Sequence, residues 1–155
     1  MADPHVFLVA ALLTSKGALK ARVGIGGGQP GRSGNGPVDR VVSSPLRRAL
    51  QTAEAFGRPV VVDDRWIELD FGNLDGTPVS EVSPVTWEAW RADLDWAPPG
   101  GESQRQLGER VRPACEEISA VAEIEDVVVV SHMSPIKAAL AWSLGVGDEI
   151  VWRCH

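Results

Sequence analysis

Residues 126–135 read DVVVVSHMSP, and this stretch decides the fold of the chain. Four consecutive valines bounded by Asp126 and Ser131 predict a strand that is buried on both faces. Ser134-Pro135, directly after that strand, is a typical helix start because proline suits the first helical position. His132 is therefore predicted to lie between a buried strand and a helix, where α/β proteins hold their ligands.

The rest of the chain alternates strand and helix patterns in the same way, with a glycine-rich loop predicted at residues 24–36. Further strands are predicted at residues 6–9, 38–42 and 60–62. Helices are predicted at residues 13–21, 45–56, 87–96, 103–121 and 134–144, those at 13–21 and 87–96 on weaker patterns. The alternation predicts one α/β domain over residues 1–155, a three-layer α/β/α sandwich with a mostly parallel sheet.

Composition narrows the class of protein. The 155 residues are 44% hydrophobic and 23% charged, as expected for one globular domain. A net charge of -6 argues against a nucleic-acid partner. The apolar run at residues 6–13 is too short to cross a membrane, and with only Cys115 and Cys154 the chain is expected in the reducing cytoplasm.

Three polar groups follow predicted strands and are expected to share one pocket. Arg48 follows the strand at residues 38–42, Glu68 follows the strand at 60–62, and His132 follows the valine run. A guanidinium, a carboxyl, an imidazole and helix N-terminal amides make a chemically sensible phosphate site. Each residue also has a structural alternative: a solvated helix charge for Arg48, a surface acid or partner of Arg65 for Glu68, and a core histidine for His132.

Residues 43–53, SSPLRRALQTA, resemble the second signature of the histidine phosphatase superfamily, the phosphoglycerate mutase-like enzymes. Four further blocks resemble family blocks in the same order: Leu13-Thr14 with Gly17 and Ala21, ELDFG at 68–72, PGGES at 99–103, and VVSHMSPIK at 129–137. Five ordered blocks make a specific match. The residues in these five blocks are most similar to those of the α-ribazole phosphatase and acid phosphatase branch of the superfamily.

The resemblance implies a phosphoglycerate mutase-like fold and hydrolysis of a small phosphorylated metabolite through a phosphohistidine intermediate. It implies that Arg48 and His132 bind the phosphoryl group and that Glu68 and His132 are catalytic, with Glu68 donating a proton to the leaving oxygen. No cofactor or metal is expected. A homodimer is a further expectation, because dimers are common among relatives.

One block departs from the family pattern. The family has Arg-His-Gly after its first strand, where that histidine attacks phosphorus, whereas Val9 is followed here by AAL at residues 10–12. The domain is therefore predicted to lack the loop after strand 1, and also the C-terminal strand. His5 precedes the first strand and is expected at the opposite sheet edge from the ligand.

Two functional alternatives follow from this departure. If the molecule contains a nucleophile segment that the printed residues lack, the protein is a phosphatase of this family. Otherwise it is a non-catalytic relative that binds a phosphorylated ligand or a protein partner. A phosphoprotein phosphatase is a third alternative, favoured by a shallow pocket.

Overall fold

The computed structural model describes residues 7–13, 19–25 and 38–153 of the chain. Its strands are β1 (Phe7–Leu13), β2 (Leu19–Ile25), β3 (Arg40–Ser43), β4 (Val60–Val62) and β5 (Val127–Ser131). Its helices are α1 (Arg47–Glu54), α2 (Pro84–Ala92), α3 (Gln104–Val121) and α4 (Met133–Leu144), with short 3-10 turns between them. The predicted alternation of strands and helices is confirmed from residue 38 onward.

The five strands form one sheet in the order β2-β1-β5-β3-β4. The strands β5, β3 and β4 run parallel to one another, which is the parallel arrangement predicted for this part of the chain. Strand β5 lies at the centre of the sheet, and each of its four valines is at most 3% exposed. The prediction of a strand buried on both faces is therefore confirmed.

Helices cover both faces of the sheet and make the three layers predicted from the sequence. Val128 and Val130 pack with Ala49 and Ala53 of α1 on one face. On the other face, Val127 and Val129 pack in a second cluster with side chains of α2, α3 and α4. Successive strand residues point to opposite faces, so one valine run supplies the centre of both clusters.

The predicted helix at residues 13–21 is wrong in its second half, because residues 19–25 form strand β2. Strand β2 pairs with β1 as an antiparallel hairpin. Its apolar residues alternate with polar ones, and this two-residue period suits a strand better than a helix. The alternating apolar residues are Leu19, Ala21, Val23 and Ile25.

Strand β1 differs from its expected length and role. It continues to Leu13, so residues 10–12 lie within the strand rather than after it. It also runs antiparallel to β5, with Val9 opposite Ser131. The start of β1 therefore lies at the edge where β5 ends, and the premise that placed His5 at the opposite edge is wrong. His5 itself, like residues 26–37 of the predicted loop, lies outside the described residues.

The long helix α3 begins as predicted, at a capping box in which Ser103 accepts from the Gln106 amide and Gln106 accepts from the Ser103 amide. Its inner face is buried at Leu107, Val111, Ala114, Cys115 and Ile118. Helix α2 starts earlier than expected, because Ser83 caps it and Pro84 occupies its first turn. Within the described residues, the helices are too short or too polar to form a membrane span.

Candidate active site

A cavity of about 940 Å³ lies at the edge of the sheet where β3 and β5 end. Arg48, Glu68 and His132 all line it, so the structure brings together the three residues predicted to share a pocket. They come from α1, from the loop after β4, and from the junction of β5 with α4. A cavity of this size can enclose a metabolite.

The imidazole of His132 is 1% exposed and lies between two partners from the β3–α1 segment. Arg48 Nε donates to His132 Nδ1 over 3.3 Å, and His132 Nε2 lies 2.7 Å from Ser44 Oγ. Arginine can only donate, so Nδ1 must be the accepting nitrogen and Nε2 must carry the proton. The geometry therefore defines one tautomer, in which Nε2–H donates to the Ser44 hydroxyl oxygen.

The charge of His132 follows from this environment. Burial, together with the positive charges of Arg48 and Arg110, lowers the pKa of the imidazole to about 4. His132 is therefore neutral at pH 7. A neutral imidazole beside a guanidinium leaves a net positive site, which an anionic ligand can occupy.

Arg48 occupies the first turn of α1 next to Arg47, but the two side chains have different surroundings. Arg47 is exposed, whereas Arg48 is half-buried and reaches His132. Within residues 38–153, the two terminal Nη groups of Arg48 make no hydrogen bond. They are therefore the uncommitted donors of the site, so the solvated-charge alternative does not describe Arg48.

Glu68 is held by backbone amides. Its Oε1 accepts from the Leu69 amide over 2.8 Å and from the Ser134 amide in the first turn of α4 over 3.2 Å. The helix dipole favours a negative group at this position. Arg65 pairs with Asp63 and Glu117. The alternative in which Arg65 is the partner of Glu68 is therefore wrong.

One of the helix amides near the cavity is already bonded within the chain. The Ser134 amide at the start of α4 already donates to Glu68. The Ser134 amide is therefore not a free donor for a ligand. Arg48 and His132 are the remaining polar groups from the predicted phosphate set that line the cavity.

Sequence reasoning missed three polar residues that support the site: Ser44, Glu102 and Arg110. Ser44 lies in the segment before α1, where its Oγ accepts from the Leu46 amide over 3.3 Å. The contact of Ser44 with His132 joins two distant parts of the chain, so the sequence around Ser44 does not predict it. Glu102 belongs to the PGGES block, but Arg110 resembles any helix surface charge in the sequence.

Arg110 holds the loop that carries Glu68 in place through hydrogen bonds. Its Nε and Nη2 donate to the two carboxylate oxygens of Glu102 over 2.6 and 2.8 Å. Its guanidinium also donates to the carbonyl of Arg65 over 2.7 Å and to the carbonyl of Glu68 over 3.3 Å. A planar guanidinium with five donors suits this bridging position, and it ties the Glu68 loop to α3.

Comparison with known families agrees with this fold. Residues 31–155 match the profile of the histidine phosphatase superfamily (branch 1). The match covers well over half of the chain, and the chain belongs to this superfamily.

Several relatives are similar to this chain over most of its length. Bifunctional protein Rv2228c of Mycobacterium tuberculosis is 38% identical over 141 residues, covering 86% of this chain and 38% of that protein. Glucosyl-3-phosphoglycerate phosphatase of Mycolicibacterium vanbaalenii is 38% identical over 120 residues, covering 68% of this chain and 53% of that protein. The chain thus spans between about four-tenths and half the length of these curated relatives.

Solved structures share the fold. A mycobacterial glucosyl-3-phosphoglycerate phosphatase in complex with inorganic phosphate superposes with a TM-score of 0.65 at 32% identity, covering 76% of this chain and 64% of that chain. The alpha-ribazole phosphatase from Shigella flexneri has a TM-score of 0.61 at 24% identity, covering 74% of this chain and 61% of that chain, a likeness of fold alone.

Proposed function

We propose that this chain carries the phosphate-binding part of a histidine-type phosphomonoesterase that acts on a small phosphorylated metabolite. The observation that supports this most directly is the Arg48–His132 pair lining a cavity that also contains Glu68. Family membership and the phosphatase names of relatives support the same reaction class. A cytoplasmic location and a homodimer remain predictions.

The binding step uses Arg48 and His132. The free Nη groups of Arg48 form a fork that matches two phosphate oxygens. A phosphate dianion in contact with the imidazole favours its protonated form, so His132 takes up a proton from solvent at Nδ1 and donates a hydrogen bond from Nδ1–H to a phosphate oxygen. Arg48 Nε, which donates to Nδ1 of the neutral imidazole, is then released toward the ligand.

The leaving step uses Glu68. Because Oε1 accepts two amide hydrogen bonds, Oε2 is the oxygen that remains to donate a proton to the leaving group in this proposal. Donation of this proton neutralises the alkoxide as the bond between phosphorus and the leaving oxygen breaks. The phosphoryl group passes first to a histidine and then to water, which replaces one difficult displacement with two easier ones.

The attacking histidine is the part of the proposal for which this chain has no Arg-His-Gly motif. The family pattern places it in Arg-His-Gly, and residues 10–12 here are AAL. His132 is already assigned to phosphate binding. The proposal therefore requires a nucleophile segment in the molecule, and the alternative remains a non-catalytic relative that binds a phosphorylated ligand or protein partner.

Trapping of the phosphoenzyme tests this requirement. The purified protein is mixed with an aryl phosphate, quenched in alkali to preserve phosphohistidine, and examined by intact mass and peptide sequencing. We expect a mass above 16.6 kDa, extra residues that include Arg-His-Gly, and one added phosphoryl group on that histidine. A mass equal to 16.6 kDa with no phosphoryl transfer would leave only the binding alternative.

Metal independence is a separate expectation. Among the side chains that the structure describes, no group of three or more His, Cys, Asp or Glu residues is placed to hold a metal ion. We expect aryl phosphate hydrolysis to survive EDTA and to be blocked by vanadate, because Arg48 and His132 provide the charge that a metal would otherwise supply. Loss of turnover with EDTA and its recovery with a divalent cation would contradict this mechanism.

A further inference from the structure

We infer that this cavity selects phosphomonoesters whose organic part is apolar, such as aryl phosphates, and discriminates against substrates that carry a second anionic group. The inference rests on the proposed function, because it assumes that the phosphoryl group lies at Arg48 and His132. It concerns the remainder of the same cavity. Two independent features of the lining support it, an aromatic wall and an unbalanced set of charges.

The apolar wall consists of Phe71, Leu74, Val82 and Trp87. Its two aromatic members are held by Trp90, which is 2% exposed. The Trp87 ring stacks on Trp90 with centroids 5.7 Å apart and planes at 19°, and Phe71 meets Trp90 edge to face at 5.9 Å. These rings already have fixed orientations, so an apolar ligand gains contact area without an added cost of ordering them.

Acidic residues outnumber basic ones in the described lining of the cavity. Four of its described residues carry carboxyl groups: Glu68, Asp70, Asp75 and Glu102. Among those described lining residues the cations are Arg48 and Arg110, and Arg110 is already paired with Glu102 at 2.6 Å. Arg48 can hold one phosphoryl group. Glu102 is paired and Glu68 is the proposed proton donor, so a carboxylate or second phosphate elsewhere on the ligand would face Asp70 and Asp75 without a free cation. Such like-charge contacts weaken binding.

Asp75 offers a direct way to test the charge argument. It is exposed and lines the cavity, so its replacement should leave the core unchanged. Glu116 is an exposed acid on α3 that does not line the cavity. Asp75→Lys and Glu116→Lys alter the net charge equally, so a difference between them reports the local effect at the cavity.

The experiment compares three ligands by isothermal titration calorimetry on the full chain: inorganic phosphate, phenyl phosphate and 3-phosphoglycerate. We expect phenyl phosphate to bind at least about tenfold more tightly than phosphate, since burial of a ring against apolar side chains is worth more than about 1.4 kcal/mol. We expect 3-phosphoglycerate to bind no more tightly than phosphate. In Trp87→Ala the ratio of phenyl phosphate to phosphate affinity should fall toward one. If Trp87→Ala does not fold, the same fall in the ratio is expected in Leu74→Ser.

In Asp75→Lys, 3-phosphoglycerate should bind about fivefold more tightly, with no such gain in Glu116→Lys. Phosphate binding without a preference for phenyl phosphate, or equal gains in both lysine variants, would overturn the inference while the proposed function stands. Failure of the wild-type chain to bind inorganic phosphate would instead overturn the proposed function, and the inference with it.

Discussion

Replacement of Arg48 by alanine is expected to reduce aryl phosphate turnover by about a thousandfold and to weaken phosphate binding strongly. Loss of a preorganised charged donor at a phosphoryl site typically costs on the order of a hundredfold to a thousandfold. Arg48 combines the uncommitted Nη donors with the Nε contact to His132, so the upper end of that range is expected. The measurements are kcat/KM for an aryl phosphate and the Kd of inorganic phosphate.

The neighbouring residue supplies the control for this experiment. Arg47→Ala removes the same charge from the same turn of α1, but Arg47 is exposed and does not line the cavity. We expect its kcat/KM to remain within about twofold of wild type, because exposed charges interact weakly through solvent. Similar losses in both variants would mean that the effect is a general one of net charge, and Arg48 would lose its assigned role.

Replacement of His132 by asparagine is expected to lower turnover by about a hundredfold or more and to remove a pH dependence of stability. Asparagine can still accept a hydrogen bond near the Nδ1 position, but it cannot take up the proton that phosphate binding requires. Because the imidazole is 1% exposed and bonded to Ser44 and Arg48, we also expect a loss of unfolding free energy at pH 7.

The sign of the pH effect follows from the pKa values of His132. In the folded chain the pKa is about 4, below the ordinary value of 6.5 that applies after unfolding. Between these values the unfolded chain binds more protons, so acid favours unfolding. The wild-type free energy of unfolding should be highest above pH 6.5 and fall by about 3 kcal/mol as the pH approaches 4.

Denaturant titrations of both proteins at several pH values between 7 and 4 measure this difference. The contribution of His132 should be missing from the His132→Asn variant, whose free energy of unfolding therefore declines less over the same interval. Parallel declines in the two proteins would assign the acid sensitivity to other groups. A variant with reduced stability but wild-type kcat/KM would support the structural alternative for His132 instead.

The sequence alone determined the central strand, its flanking helices and the three residues of the candidate site. A run of four valines favours a strand that is buried on both faces, as β5 is. Ser134-Pro135 favours the start of a helix directly after it, as in α4. Parallel strands end at the same edge of a sheet, so Arg48, Glu68 and His132 could be expected in one pocket before any distance was known.

Only the tertiary structure decided how these groups are bonded. Ser44 and Arg48 meet His132 across 88 and 84 residues of chain, and Arg110 reaches the carbonyl of Glu68 across 42. Local sequence patterns carry no information on such contacts, because the packing of separate elements sets them. The antiparallel course of β1 was hidden for the same reason. An apolar run predicts a strand but not its direction, which depends on the neighbour with which it pairs.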